Sequence, residues 1–302
     1  MMEPAAPVVA GVDGSSSALA AVMWAADECA RRDAPLRLVH AFSLPAAGHL
    51  PSAGTGDDVR RAAEERAGAC LTEATAAARA AGPDVEISAE PLSGGATSLL
   101  IEESRHARLL VIGAEGMGNV RGLLVGSTAA ALASHGECPL VVVRGLAATD
   151  GPIVVGHDGS PTSEAALAFA FEAASLRDAR LTVVLCQPGF TVESAYRTAR
   201  FAAARDAAEG DDLEVLARWQ ARYPDVRVER ALPRDRPVRA LMRYGAEAQL
   251  LVVGSHGRGG FDGMLLGSTS QALVSHAPCP LVIVTSESRR GSVQDCRERI
   301  TG

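Results

Sequence analysis

Apolar residues in this chain gather in short runs, and between the runs lie longer alanine-rich stretches in which apolar positions recur every three or four residues. Short apolar runs bounded by turn residues are the signature of strands buried on both faces, and a 3.6-residue recurrence is that of amphipathic helices. Their alternation predicts βαβ units and a parallel sheet. In the first half the strand runs fall at Pro7–Val12, Leu36–Phe42, Val85–Glu90, Arg108–Gly113 and Pro139–Arg144. The second half repeats them at Pro152–His157, Arg180–Cys186, Val226–Ala231, Gln249–Gly254 and Pro280–Thr285.

The repetition extends to the residues themselves. Leu109–Val143 aligns without a gap on Leu250–Val284, with 20 of 35 positions identical. Gly11-Val12-Asp13-Gly14-Ser15 returns as Gly156-His157-Asp158-Gly159-Ser160. The repeat is far longer than a solenoid unit, so a whole fold is duplicated. A chain of 302 residues suits two cores of ordinary size. Domains are expected at 1–146 and 147–286, with a short linker at 145–151, a Pro/Gly-rich loop at Ser43–Gly56, and a polar, arginine-rich tail at 287–302 with no apolar periodicity, expected to be disordered. Each domain is predicted to be a doubly wound, Rossmann-like α/β unit: a five-stranded parallel sheet of order 3-2-1-4-5 flanked by four helices.

Composition narrows the chemistry. A net charge of −7 argues against nucleic acid as a partner. No apolar run approaches the ~18 residues of a membrane span and no leader pattern opens the chain, so a cytoplasmic, membrane-free protein is expected. The six cysteines lack metal-ligand spacing and read as reduced, mostly buried thiols. There is no lysine at all: every one of the 29 basic residues is arginine. That removes the phosphate-loop lysine of Walker-type NTPases, the strand lysine of protein kinases and any Schiff-base mechanism. A dinucleotide oxidoreductase is also disfavoured, because Asp-Gly-Ser rather than Gly-x-Gly-x-x-Gly follows the first strand.

What remains lies at strand ends. After the fourth strand of each copy the chain reads Gly, two residues, Gly, nine residues, Gly-Ser: Gly113, Gly116 and Gly126-Ser127-Thr128 in the first, Gly254, Gly257 and Gly267-Ser268-Thr269 in the second. Glycine lets backbone N–H groups approach an anion, and Gly-Ser opening a helix adds a hydroxyl and the positive end of the helix dipole. This is a phosphate cradle that needs no lysine. Within it lie Met117, Gly118 and Asn119 in the first copy and Arg258, Gly259 and Gly260 in the second. Asp13 and Asp158 also suit turn and cap chemistry. His135 and His276 suit helix ends, and His256, a lone histidine in the loop, is not read as a catalytic base.

This glycine spacing, with an aspartate after the first strand, resembles the ATP-binding branch of the universal stress protein family in its tandem-domain form, over nearly the whole chain. The resemblance implies that the glycines and Gly-Ser hold the triphosphate, that Gly11, Val12 and Asp13 with Gly156, His157 and Asp158 lie by the ribose, and that the end of the second strand (His40 and Ala41; Leu185 and Cys186) meets the adenine. It implies a nucleotide-dependent stress-response regulator that binds ATP or ADP, with Mg²⁺ held through the phosphates together with Asp13 and Asp158, and no catalytic residue of its own. The alternatives are a slow Mg²⁺-dependent nucleotide hydrolase and a fold-only member without ATP. Self-association is expected through the fifth strand, Pro139–Val143 and Pro280–Val284, an apolar edge, either by pairing of the two lobes within the chain or as a homodimer. The second lobe is expected to bind more tightly, because Arg258 can fork onto phosphate while the first lobe carries Glu115 in place of His256.

Overall fold

The computed structural model describes residues 5–43, 56–116, 127–144, 150–186, 212–257 and 266–285. The chain divides into two compact units, Met1–Arg144 and Gly145–Gly302. In unit 1 the elements run β1 (Val8–Val12), α1 (Ser16–Arg32), β2 (Leu36–Phe42), α2 (Gly56–Ala81), β3 (Ile87–Ser93), α3 (Ala96–Ser104), β4 (Leu109–Gly113), α4 (Ser127–His135) and β5 (Leu140–Val143). Its strands pair in the order β3-β2-β1-β4-β5, all parallel. Unit 2 runs β6 (Ile153–His157), α5 (Pro161–Leu176), β7 (Leu181–Leu185), helix α6 (residues 212–222), β8 (Val228–Ala231), α7 (Pro237–Gly245), β9 (Leu250–Gly254), α8 (Ser268–His276) and β10 (Leu281–Val284). Its order is β8-β7-β6-β9-β10, again parallel. The expected tail, the linker at 145–149 and loop residues 44–55 lie outside the described residues.

The strand cores are the apolar runs. Val8, Val9, Ala10, Leu36, Leu38, Leu110 and Val111 in unit 1, and Ile153, Val154, Leu181, Val183, Leu250 and Leu251 in unit 2, are essentially inaccessible to solvent. Both faces are covered, as a parallel sheet requires. The third strand differs from its expected span. β3 starts two residues later than Val85 and continues through Pro91 to Ser93, in register with β2 from Leu36↔Ile87 to Phe42↔Ser93. Proline normally ends a strand reading, but among the described residues of its unit β3 pairs with β2 on one side only, and an edge strand tolerates a missing N–H. Val85 is instead taken by a turn, its N–H donating to the Gly82 carbonyl at 3.3 Å.

The first helix of each unit is fixed from its N-terminus. Ser15 and Ser160 are N-caps, their hydroxyls accepting from Ala18 N and Ser163 N. Helix α1 then buries Ala18, Ala21, Val22, Ala25, Ala26 and Cys29, a stripe of small side chains at helical spacing that brings the helix axis close to the sheet. The closest point is the end of the fourth strand. A Cβ built on Gly113 would lie 2.6 Å from the Ser17 backbone carbon, and one on Gly254 would lie 2.8 Å from that of Thr162. Glycine is required there by the packing of helix on strand. Among the described residues no helix is long and apolar enough to cross a membrane.

Gly254→Ala should therefore destabilise unit 2 by about 1–3 kcal/mol, since backbone cannot yield as a flexible side chain can. Gly68→Ala, on α2 with nothing within 4 Å of the new methyl, should leave stability unchanged or raise it by up to about 1 kcal/mol. Urea denaturation of the two variants checks both. An unshifted midpoint in Gly254→Ala would show that helix and strand separate freely.

Candidate functional site

The strand order reverses between β1 and β4 in unit 1 and between β6 and β9 in unit 2, and the crevice beyond the carboxyl ends of such strands is where doubly wound sheets bind ligands. In unit 1 a cavity of about 150 Å³ opens there. Gly11, Val12 and Asp13 from the end of β1, Ala41 from β2, Gly113 and Gly116 from the β4 end, and Thr128 from α4 all line it. Seven residues singled out by sequence thus meet around one space. The floor is apolar: Val39, Leu100 and Ile112 complete it. Cavities of roughly this volume accept an aromatic ring.

The turn after β1 and the loop after β4 are tied together by hydroxyls. Ser15 Oγ donates to the Glu115 carbonyl at 3.3 Å, and Glu115 N donates to Ser17 Oγ at 3.2 Å. Asp13 Oδ1 accepts from Ser15 N at 2.9 Å. Its other oxygen would stand 3.0 Å from a Cβ on Gly116. Gly14 turns the chain in the left-handed region, φ +85°, where a side chain is strained. Across the cavity, the Thr128 hydroxyl in the first turn of α4 lies 3.2 Å from that of Thr97. His40, the neighbour of Ala41, has its imidazole pushed below the usual range, chiefly by burial and against the pull of the Val12 backbone and the Asp13 carboxylate.

Unit 2 repeats the frame. Ser160 N donates to Asp158 Oδ1 at 3.0 Å, and the hydroxyls of Ser160 and Thr162 both reach the His256 carbonyl. A Cβ on Gly257 would come within 2.5 Å of Asp158 Oδ2, closer than in unit 1. Gly267 N donates to the Ser255 carbonyl at 2.8 Å, and Ser270 Oγ donates to the Gly254 carbonyl at 2.7 Å, which sets the first turn of α8 against the end of β9. The N-cap Gly267 has no side chain to cap the helix, so Ser268 and Thr269 follow it in a first turn whose dipole favours an anion. Gly267 sits at φ −68°, ψ 150°, ordinary for any residue, and a Cβ there would find its nearest neighbour at 3.4 Å. The fold itself does not demand glycine at this position.

Two chosen residues behave differently from their unit 1 counterparts. His157, at the place of Val12, is 2% exposed. Its ring is held between Asp212 (Nε2 to Oδ1, 3.1 Å) and Ser163 (Nδ1 to Oγ, 3.2 Å), on the side of α5 and α6. Its backbone carbonyl accepts from Cys186 N at 2.7 Å and borders the end of β7. Cys186 has its thiol pushed up to about 12 by burial first and by the Asp158 charge second, which brings these two chosen residues together electrostatically. Gly156 faces the other way, against Leu241 of α7 and Val253, as Gly11 faces Leu100 and Ile112. Ser127 is exposed at the start of α4. Met117, Gly118, Asn119 and Gly126, with Arg258, Gly259 and Gly260, lie outside the described residues.

Sequence reasoning passed over Val39, Ala96 and Leu100 as lining residues. Val39 stands two residues before Ala41 on β2 and so shares its face, and Ala96 and Leu100 are four apart on α3. Strand and helix periodicity applied to Ala41 and to the third helix would have pointed to them.

The family model described as "Universal stress protein family" matches twice, at residues 5–144 and 151–285. A curated universal stress protein of Mycobacterium tuberculosis is 37% identical over 287 residues, spanning 91% of this chain and 96% of the relative. One from Mycolicibacterium smegmatis is 36% identical over 295 residues, spanning 92% and 96%. Among solved structures, a universal stress protein from Archaeoglobus fulgidus superposes with a TM-score of 0.68 at 17% identity, over 93% of this chain and 99% of that one, a likeness of fold. Two family matches that together span nearly the whole length, and relatives of the same extent, make this chain a member of the universal stress protein family with two tandem domains.

Proposed function

We propose that each unit binds an adenine nucleotide, ATP or ADP, at the carboxyl edge of its sheet, and that the chain works as a nucleotide-dependent regulator in the cytoplasm rather than as an enzyme. The observation that carries the reading is the unit 1 cavity: seven residues drawn from four separate stretches, chosen for phosphate, ribose and base contacts, line one space with an apolar floor. The fit is chemical as well as spatial. Val39, Ala41, Leu100 and Ile112 offer a flat apolar slot to a base, Asp13 offers a carboxylate to ribose hydroxyls, and the first turns of α4 and α8 offer N–H groups and hydroxyls to phosphate. When bound with nucleotide, Mg²⁺ would be held by phosphate oxygens and by Asp13 or Asp158, oxygen ligands of the kind it prefers. The reading includes self-association through the wholly apolar strand β5. It treats nucleotide as a state to be sensed: the His157 imidazole does stand beside the Ser163 hydroxyl, but both are buried and Ser163 Oγ already donates to the Ser160 carbonyl.

Isothermal titration of the full chain should give a stoichiometry approaching two for ATP or ADP. Failure to bind ATP, ADP or AMP by protein that carries no co-purified nucleotide would overturn the reading. EDTA should weaken ATP more than AMP, since only the polyphosphate gains from the cation.

Gly267 separates ligand from fold. Because a methyl is accommodated there without strain, Gly267→Ala should keep the wild-type denaturation midpoint while weakening nucleotide binding in unit 2 by about 1–2 kcal/mol, roughly five- to thirtyfold. Gly267→Glu, which adds like charge beside phosphate, should abolish it. Undiminished affinity in both variants would remove α8 from the site.

The two lobes should differ. Titrating ATP into Gly126→Glu and Gly267→Glu separately isolates each lobe, and the lobe holding Arg258 should be the tighter. Equal residual affinities would mean that backbone alone sets the affinity.

A further inference from the structure

The third strand and third helix of each unit occupy equivalent places and carry opposite charge. Residues 84–103 hold five acids, Asp84, Glu86, Glu90, Glu102 and Glu103, and no base. The equivalent residues 225–244 hold six arginines, Arg227, Arg230, Arg234, Arg236, Arg239 and Arg243, against three acids, a net of +3 in a chain whose total is −7. All six arginines are exposed, as are Asp84, Glu86, Glu90 and Glu102. On α7, Arg236, Arg239 and Arg243 stand at i, i+3 and i+7 and form one stripe, where α3 has Gly95, Ser98 and Glu102.

Pairing with neighbouring elements does not erase the contrast. Arg37 reaches Glu90 at 2.8 Å and Glu103 at 2.7 Å, and Arg105 bridges Glu102 and Glu137. With Arg37, Arg105 and Glu137 included the first face still carries −4. Arg180 pairs with Glu229 at 3.1 Å and takes the second to +4.

Among the described residues of their units, β3 pairs only with β2 and β8 only with β7. Both are half-exposed, as edges are. Charged side chains on an edge strand are a recognised defence against indiscriminate strand pairing. Defence alone needs no particular sign, and a mixture on each edge would serve. Here the signs are segregated, so two β3 edges repel, two β8 edges repel, and one of each attracts.

We propose that the acidic β3–α3 face of one copy docks on the basic β8–α7 face of a second copy. The contact is heterologous, joining different surfaces, so it leaves a free face of each kind and extends to a ring or a short filament. Electrostatic complementarity of this sort sets partner choice and is screened by salt. The range of attraction falls from ~30 Å at 0.01 M salt to ~8 Å at physiological strength. The proposal stands apart from nucleotide binding, and its salt dependence separates it from association through apolar β5.

The test is sedimentation velocity of the full chain at about 20 mM and about 500 mM NaCl, conditions on either side of strong screening. The low-salt weight-average mass should rise with protein concentration to roughly twofold or more above the high-salt value. Two charge-reversed variants follow. In the first, Arg234→Glu, Arg236→Glu and Arg239→Glu make the β8–α7 face acidic, and acids at the start of α7 suit its dipole, so folding is not threatened. In the second, Asp84→Arg, Glu86→Arg and Glu102→Arg make the β3–α3 face basic. Each variant alone should stay at its high-salt mass at both ionic strengths, and an equimolar mixture should recover the low-salt growth. A wild-type mass independent of salt, a variant that associates alone as the wild type does, or a mixture no heavier than its parts would overturn the proposal. So would binding of polyglutamate to the wild type without any self-association, which would assign the arginines to another acidic partner.

Discussion

The site depends on one close approach, that of the first helix of each unit to the end of its fourth strand. Ser17 and Thr162 come so near to Gly113 and Gly254 that no side chain fits between. This contact places the N-cap hydroxyls Ser15 and Ser160 within reach of the Glu115 and His256 carbonyls, which ties the aspartate turn to the glycine loop. The crevice therefore has two walls fixed to each other by backbone geometry, and Asp13 and Asp158 face Gly116 and Gly257 as a consequence. Enlarging the first glycine of the G-xx-G pair would part the walls. Enlarging the second would displace the carboxylate.

The repeated glycines thus divide by cause. Gly113 and Gly254 answer to helix–strand packing, and Gly116 and Gly257 to the aspartate oxygen beside them. Gly14 and Gly159 answer to positive φ, at +85° and +75°. Gly267 answers to none of these, for it has ordinary dihedrals and room for a methyl. Neither packing nor backbone conformation requires glycine at this position, which is why it is the one that tests the proposed phosphate cradle. Spacing alone placed Gly254, Gly257 and Gly267 in one motif, as it did Gly113 and Gly116, and only the geometry separates them.

Much of the fold was legible because burial on both faces makes a parallel strand an uninterrupted apolar run, as in Leu109–Gly113 and Leu250–Gly254. β3 was read short because Pro91 and the acids around it resemble a loop, and its place at an edge is a tertiary fact. For the site, seven of the chosen residues line the unit 1 cavity. Residues that line it by side-chain volume, such as Val39 and Leu100, were silent in sequence because an apolar residue facing a ligand slot looks the same as one facing the core. His157 shows the opposite failure. The motif fixes where its backbone stands, at the end of β6, yet nothing in the motif says on which side of the strand the ring is spent.

That ring bears on how far the two lobes are the same object. In unit 2 a buried chain of contacts runs from Asp212 on α6 through His157 to Ser163 on α5, and Ser163 Oγ also meets Asp158 N at 3.4 Å and the Ser160 carbonyl at 2.8 Å. Unit 1 has Val12 and Ala18 at the positions of His157 and Ser163, both buried. The same turn, with the same N-cap serine and the same aspartate bond, closes over an apolar pair in one lobe and a polar network in the other. Unit 1 is therefore the apolar replacement of the network, made in the same fold, and the turn does not need the network in order to form. Replacing a satisfied buried polar cluster by well-packed apolar groups is often neutral in stability, whereas removing one member leaves its partners unsatisfied. What the network adds is a hydrogen-bonded linkage between α6 and the turn that presents Asp158. In unit 1 the second helix meets the same turn through the Cys70 side chain against Gly14, so among the described residues the duplicated frame holds the crevice in both lobes and the contact behind it is apolar in the first and polar in the second.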